Sequence, residues 1–145
     1  MHDRVIVLVE DNANDEELTL RAFRRSNIVN RVVILRDGAD ALDYFFTRGK
    51  YADRAATEVV QVVLLDLKLP KIDGLDVLRA LRADDRTKLI PIVILTSSAE
   101  DQDLVRGYGL GANSYVRKPV DFTQFVEAVR QLGLYWLVIN QAAPP

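Results

Sequence analysis

Four short segments of this chain hold side chains that could do chemistry together. Glu10 and Asp11 follow VIVLV, Asp66 follows VVLL, Thr96 follows IVIL, and Lys118 follows SYVR. Asp66 is the most telling, because a run of branched apolar residues suited to a buried strand ends on a carboxylate. Burying an unpaired ionised carboxylate is costly, so such a group takes up a proton or finds a cation. If the four segments meet, three carboxylates face one ammonium. Two carboxylates about 5 Å apart repel by roughly 3 kcal/mol at an effective dielectric near 20. A divalent cation relieves that repulsion, or one carboxyl becomes protonated. An all-oxygen set with room for water suits Mg2+ or Mn2+ better than Zn2+. The cation, Lys118 and the Thr96 hydroxyl are then the groups able to stabilise an incoming phosphoryl group. Asp66 becomes a candidate nucleophile, since carboxylates form aspartyl phosphates.

The order of elements is what would bring these segments together. Val5–Val9, Val32–Leu35, Val59–Leu65 and Ile92–Leu95 are short, rich in Val and Ile, and mostly not alternating. Strands buried on both faces of a parallel sheet read this way. Ser114–Arg117 is a weaker fifth strand. Helices are expected between them. Asn14 with Glu17 forms a capping box opening one through Arg25, and Asp37 and Asp73 cap a second through Phe46 and a third through Leu81. Ser98 with Asp101 opens a fourth. Asp121 with Gln124 opens a fifth, in which Phe122, Phe125, Val126, Val129 and Leu132 share one face. This βα alternation predicts a doubly wound parallel sheet with right-handed crossovers and helices on both faces. Such sheets bind ligands at the carboxyl ends of their strands, where all the residues singled out above stand. Asp11 is not needed to cap the first helix if Asn14 does so. The polar stretch Thr47–Glu58 reads as a surface loop.

Composition narrows the classes. At 145 residues the chain suits one domain with a proper core. A formal net charge of -2 gives no electrostatic reason to expect nucleic acid or an anionic membrane as partner. With no cysteine, disulfides and thiol chemistry are excluded, which suits a reducing cytoplasm. The start MHDRVIVLVED lacks the pattern of a signal peptide. No apolar run approaches the roughly 18 residues that span a bilayer.

These residues resemble the receiver domains of response regulators, the phosphoacceptors of two-component signalling. The resemblance rests on VEDN, LLDLKLPKIDG, VILTSS and SYVRKP, and it covers nearly the whole chain. It implies a flavodoxin-like (βα)5 three-layer sandwich with strand order 2-1-3-4-5, one receiver domain over residues 1–145 with its core at about 3–139 and a short tail at 140–145. It further implies that Asp66 accepts a phosphoryl group from a phosphohistidine donor. Mg2+, replaceable by Mn2+, would be held by Glu10, Asp11, Asp66 and the backbone carbonyl of Lys68. Glu10 stands where many members have Asp; if its longer side chain acts through a water, only Asp11 and Asp66 are direct side-chain ligands. Thr96 and Tyr115 would be the switch pair, Lys118 would contact a phosphoryl oxygen, and the bond before Pro119 would be cis.

VEDNANDEELTLRAF, VVILRDGADALDYFF and LYWLVIN resemble the single-domain regulators that serve phytochrome-type sensor histidine kinases. Only residues 120–145 follow Pro119, so no output domain is expected, and the signal should leave by protein contact or onward phosphotransfer. Gly107, Gly109 and Gly111 are expected to make the fourth helix marginal and mobile. Leu134–Ile139 is apolar all round, as interfaces often are. A homodimer through the fourth-helix, fifth-strand and fifth-helix face is the resulting expectation. An aspartyl-nucleophile phosphatase would need a second Asp where Lys68 stands, and a flavin carrier would need a phosphate cradle where EDNAND stands. A receiver-like module that binds partners without phosphorylation is the remaining alternative.

Overall fold

The computed structural model describes residues 3–25, 28, 30–54, 58–96, 109–112, 114–117 and 127. Five strands, β1 (Asp3–Val9), β2 (Arg31–Leu35), β3 (Glu58–Asp66), β4 (Ile92–Thr96) and β5 (Ser114–Arg117), form one sheet in the order β2-β1-β3-β4-β5. Every neighbouring pair is parallel. The expected strands and their order are therefore present, each as expected or longer by one or two residues. Three helices are described: α1 (Ala13–Arg25), α2 (Gly38–Phe45) and α3 (Gly74–Ala83). Of the expected fourth helix only residues 109–112 are described, and of the expected fifth only Glu127, which is helical; the rest of both, with the Leu134–Ile139 run, lies outside the described residues.

The branched strands are buried because they are covered twice. On one face Val5, Val7 and Val9 of β1 and Val60, Val63 and Leu65 of β3 pack with Ala41, Tyr44 and Phe45 of α2 and Leu75, Leu78 and Leu81 of α3. On the other, Ile6, Leu8, Val62 and Leu64 pack with Ala22 and Phe23 of α1. A bulge controls this division. Register between β1 and β3 slips between Val5 and Ile6, so Gln61 is the extra residue: Val5 faces Val60 but Ile6 faces Val62. Because a slip of one residue exchanges the faces of a strand, the bulge sets the side taken by every residue from Val62 to Asp66. Gln61 itself is buried and accepts a hydrogen bond from Arg4 Nη1 at 2.9 Å.

The caps are partly as expected. Asp37 accepts from the Asp40 N–H at 2.7 Å and Asp73 from the Leu75 N–H at 2.9 Å, opening α2 and α3. The first cap requires a correction: Asn12, not Asn14, opens α1. Its Oδ1 accepts from the N–H groups of Asn14 and Asp15 at 2.9 and 3.0 Å, and its carbonyl from Glu16 N at 2.9 Å. Asn14 is thereby inside the first turn, and Glu17 pairs with Arg24 at 3.2 Å instead of closing a box.

The 47–58 stretch also differs from a plain surface loop. It holds a 3-10 turn, Gly49–Tyr51, and Glu58 already belongs to β3. The Tyr51 hydroxyl donates to Asp40 Oδ1 at 2.9 Å and its ring meets that of Tyr44 edge-on at 5.3 Å. Gly109 and Gly111 stand in an irregular segment with φ of +57° and +87°, not in a helix as expected; Gly107 lies outside the described residues.

Candidate functional site

Three strand ends deliver the acidic groups. Glu10 follows β1 directly, and its N–H donates to Leu35 O at 2.9 Å, carrying the β1–β2 ladder one residue past the strand. That places its side chain in the interior, with no exposed surface, while Asp11 faces solvent. Asp66 is the last residue of β3 and is 6% exposed. One carboxylate oxygen from each of Glu10, Asp11 and Asp66 can be chosen so that all lie within 4.8 Å of one another. That span is near twice a metal–oxygen bond of about 2.1 Å, so a single hard cation can reach all three, directly or through a water. The donor set is all oxygen, two of its members are buried, and it therefore fits a divalent cation better than a softer metal.

The segment after Asp66 is tightly closed. Lys68 N donates to Asp66 Oδ1 at 3.1 Å, and Gly74 N to Leu67 O at 3.0 Å. Between them Ile72 N donates to Pro70 O at 2.8 Å around Lys71, whose φ is +68°. This is a γ-turn of the rare left-handed kind. The first turn of α3 comes so close that a Cβ on Gly74 would stand 2.4 Å from Asp66 O. Beside the loop is the N-terminus of α2, where Asp37 Oδ2 lies 3.4 Å from Lys71 Nζ. The Asp40 N–H, against the effect of burial and with help from Lys71, holds the Asp37 carboxyl below its ordinary range.

The other residues singled out by sequence stand as follows. Thr96 ends β4 one step past Leu95, the register partner of Asp66, so its backbone is at the same sheet edge. Tyr115 is in β5 opposite Ile94. Lys118 and Pro119, with the expected cis bond, lie outside the described residues. The bracing of the loop by Asp37, Gly38 and Lys71 was not anticipated; the one sequence signal was Asp37 as a cap.

The comparisons agree with this geometry. The family model for the response regulator receiver domain matches residues 6–130. The probable methanogenesis regulatory protein FilR2 of Methanothrix harundinacea is 40% identical over 141 residues, covering 97% of this chain and 88% of that protein. The solved structure of the phosphorylated cyanobacterial phytochrome response regulator RcpA has a TM-score of 0.87 and 34% identity, covering 99% of this chain and all of that one. The Mn2+-bound form of the response regulator Rcp1, a protein of Synechocystis, has a TM-score of 0.86 and 32% identity, covering 97% and 99%. A family match across the sheet that carries the acidic cluster leaves one assignment: the chain belongs to the response-regulator receiver family of two-component signalling.

Proposed function

We propose that this chain is a phosphoacceptor that takes a phosphoryl group onto Asp66 in a Mg2+-dependent reaction. The observation that supports it most is the burial of the Asp66 carboxylate within reach of the Glu10 and Asp11 carboxylates at the carboxyl edge of the sheet. A carboxylate oxygen of Asp66 attacks phosphorus, the P–N bond of a histidine kinase's phosphohistidine breaks, and the imidazole leaves. Asp11 and Asp66 would ligate the cation, with Glu10 acting through a water and the Lys68 carbonyl completing the protein's share. Bound there, the cation offsets the charge of three carboxylates and of the phosphoryl oxygens. Lys118 would pair with a phosphoryl oxygen, and Thr96 and Tyr115 would register the change.

The reading extends to the whole chain. Residues 1–145 form one receiver domain, working in the cytoplasm with a sensor histidine kinase, phytochrome-type by likeness to RcpA. Among the described residues no helix is long and apolar enough to cross a membrane. Output passes to a protein or phosphotransfer partner through the fourth-helix, fifth-strand and fifth-helix face, which also forms a homodimer; light scattering that shows a monomer with and without phosphorylation contradicts that face's role.

The test is intact mass after incubation with acetyl phosphate, with and without Mg2+, beside Asp66→Asn. One added phosphoryl group in wild type with Mg2+, and none in the variant, supports the reading. No gain by wild type from acetyl phosphate or from a kinase contradicts it and favours a phosphorylation-independent interaction module.

A further inference from the structure

The loop that carries Lys68 is held from outside as well as from within. At the start of α2, Gly38 N donates to Pro70 O at 3.2 Å, the same carbonyl that accepts from Ile72 N in the γ-turn. Gly38 also presses on the loop: a Cβ there would stand 1.9 Å from Ile72 O and 2.7 Å from Ile72 C. Asp37 fixes the helix end that makes this contact, with one oxygen capping Asp40 N and the other 3.4 Å from Lys71 Nζ. The loop needs such support, because Lys71 carries a side chain at φ +68°, a backbone state that L residues hold only when the surroundings impose it.

We propose that Asp37 and Gly38 are positioning residues: the N-terminus of α2 clamps the 67–73 loop and so sets where the backbone beside Asp66 meets the divalent cation. The inference rests on the phosphoacceptor reading above. Two parts of the clamp differ in weight. The Lys71 side chain is 68% exposed, and ion pairs at such sites contribute little. The Gly38 contact is backbone against backbone and cannot be relieved by turning a side chain. Residues that support a metal's ligands typically change its affinity by about 10- to 100-fold when altered, so Gly38→Ala belongs at or above the lower end of that range.

The experiment is calorimetric titration of the folded protein with Mg2+, and in parallel with Mn2+. Gly38→Ala is expected to weaken binding by about tenfold or more. Asp37→Ala should weaken it by roughly threefold, and Asp37→Asn, which keeps a capping oxygen, by less than about twofold. Lys71→Met should leave affinity within about twofold of wild type. Thr87→Val serves as the control: it removes a buried hydrogen bond to Leu81 O at 2.6 Å in the turn after α3, and should lower stability without changing affinity. A folded Gly38→Ala protein with wild-type affinity overturns the proposal. So does a Thr87→Val protein that loses affinity as much as Gly38→Ala does, since stability and not position would then be the cause. A wild type that binds neither ion overturns the phosphoacceptor reading first, and this inference with it.

Discussion

Removing the Tyr44 hydroxyl tests the packing at the amino end of β3, the strand that presents Asp66 at its other end. Tyr44 is 2% exposed, and its hydroxyl donates to Glu58 Oε1, while Arg31 donates to Glu58 Oε2. Arg54 completes the group, with Nη1 at 3.6 Å from Glu58 Oε1 and its guanidinium 4.4 Å from the Tyr44 ring centre. Tyr44→Phe keeps the ring and its edge-on contacts with Phe45 and Tyr51, so the loss is one hydrogen bond to an ionised acceptor. Such bonds contribute about 1.5–3 kcal/mol. Arg54 can move closer to the freed oxygen, which puts the expected loss near 1.5–2 kcal/mol. For a domain of this size that is a fall in Tm of roughly 5–7 °C.

The loss should depend on pH. Burial alone would raise the Glu58 carboxyl, but the Tyr44 and Arg31 hydrogen bonds and the charges of Arg31 and Arg54 outweigh it and hold the group below its ordinary value of 4.5. A carboxyl depressed in the folded state contributes stability that is present above its unfolded value and is lost as pH falls through the folded one. Burial and the Glu58 carboxylate push the Tyr44 hydroxyl far above its ordinary range, so it stays a donor throughout. Urea unfolding of wild type and Tyr44→Phe at about pH 7 and about pH 3 reads the difference directly. The gap should be widest at neutral pH and should narrow in acid. A gap that stays constant, or no loss at neutral pH, refutes this account of the Tyr44–Glu58 contact.

Two further substitutions probe the elements around the site. Gly74→Ala puts a Cβ 2.4 Å from Asp66 O and 2.6 Å from Leu67 Cα; it should cost about 2–3 kcal/mol by thermal unfolding and slow acetyl phosphate labelling of Asp66. Arg82 donates from Nε to Gly111 O at 2.7 Å and from Nη1 to Lys88 O and Ile90 O at 2.9 and 2.8 Å. Arg82→Met should cost about 1.5–2 kcal/mol in urea unfolding while leaving Mg2+ affinity unchanged, since water can reach part of these carbonyls.

What was legible in the sequence was what depends on neighbours along the chain. Branched apolar runs announced the strands, and Asp37 and Asp73 announced two helix starts, because a cap needs only its own next turn. The acidic edge followed from topology, since parallel strands point their carboxyl ends the same way. Where two candidates stand close together, the sequence alone does not choose between them. Asn12 and Asn14 have the same side chain, and only the backbone path out of β1 decides that Asn12 faces the free N–H groups. The Gln61 bulge depends on pairing with β1, and its one trace is a lone amide in an apolar strand. The clamp on the loop was least visible. Gly38 and Ile72 are far apart in sequence, and the need for glycine appears only when the two backbones touch.

If β3 presents Asp66 as the phosphoacceptor, the acyl phosphate must form at that one carboxylate. The most direct measurement is to label the protein with acetyl phosphate and Mg2+, reduce it with borohydride, and sequence the peptides by mass spectrometry. Reduction converts an aspartyl phosphate to homoserine. Homoserine is expected at position 66 and at no other position, dependent on the divalent cation. Homoserine at position 11, or reduction at no carboxylate in protein that binds the cation, contradicts it.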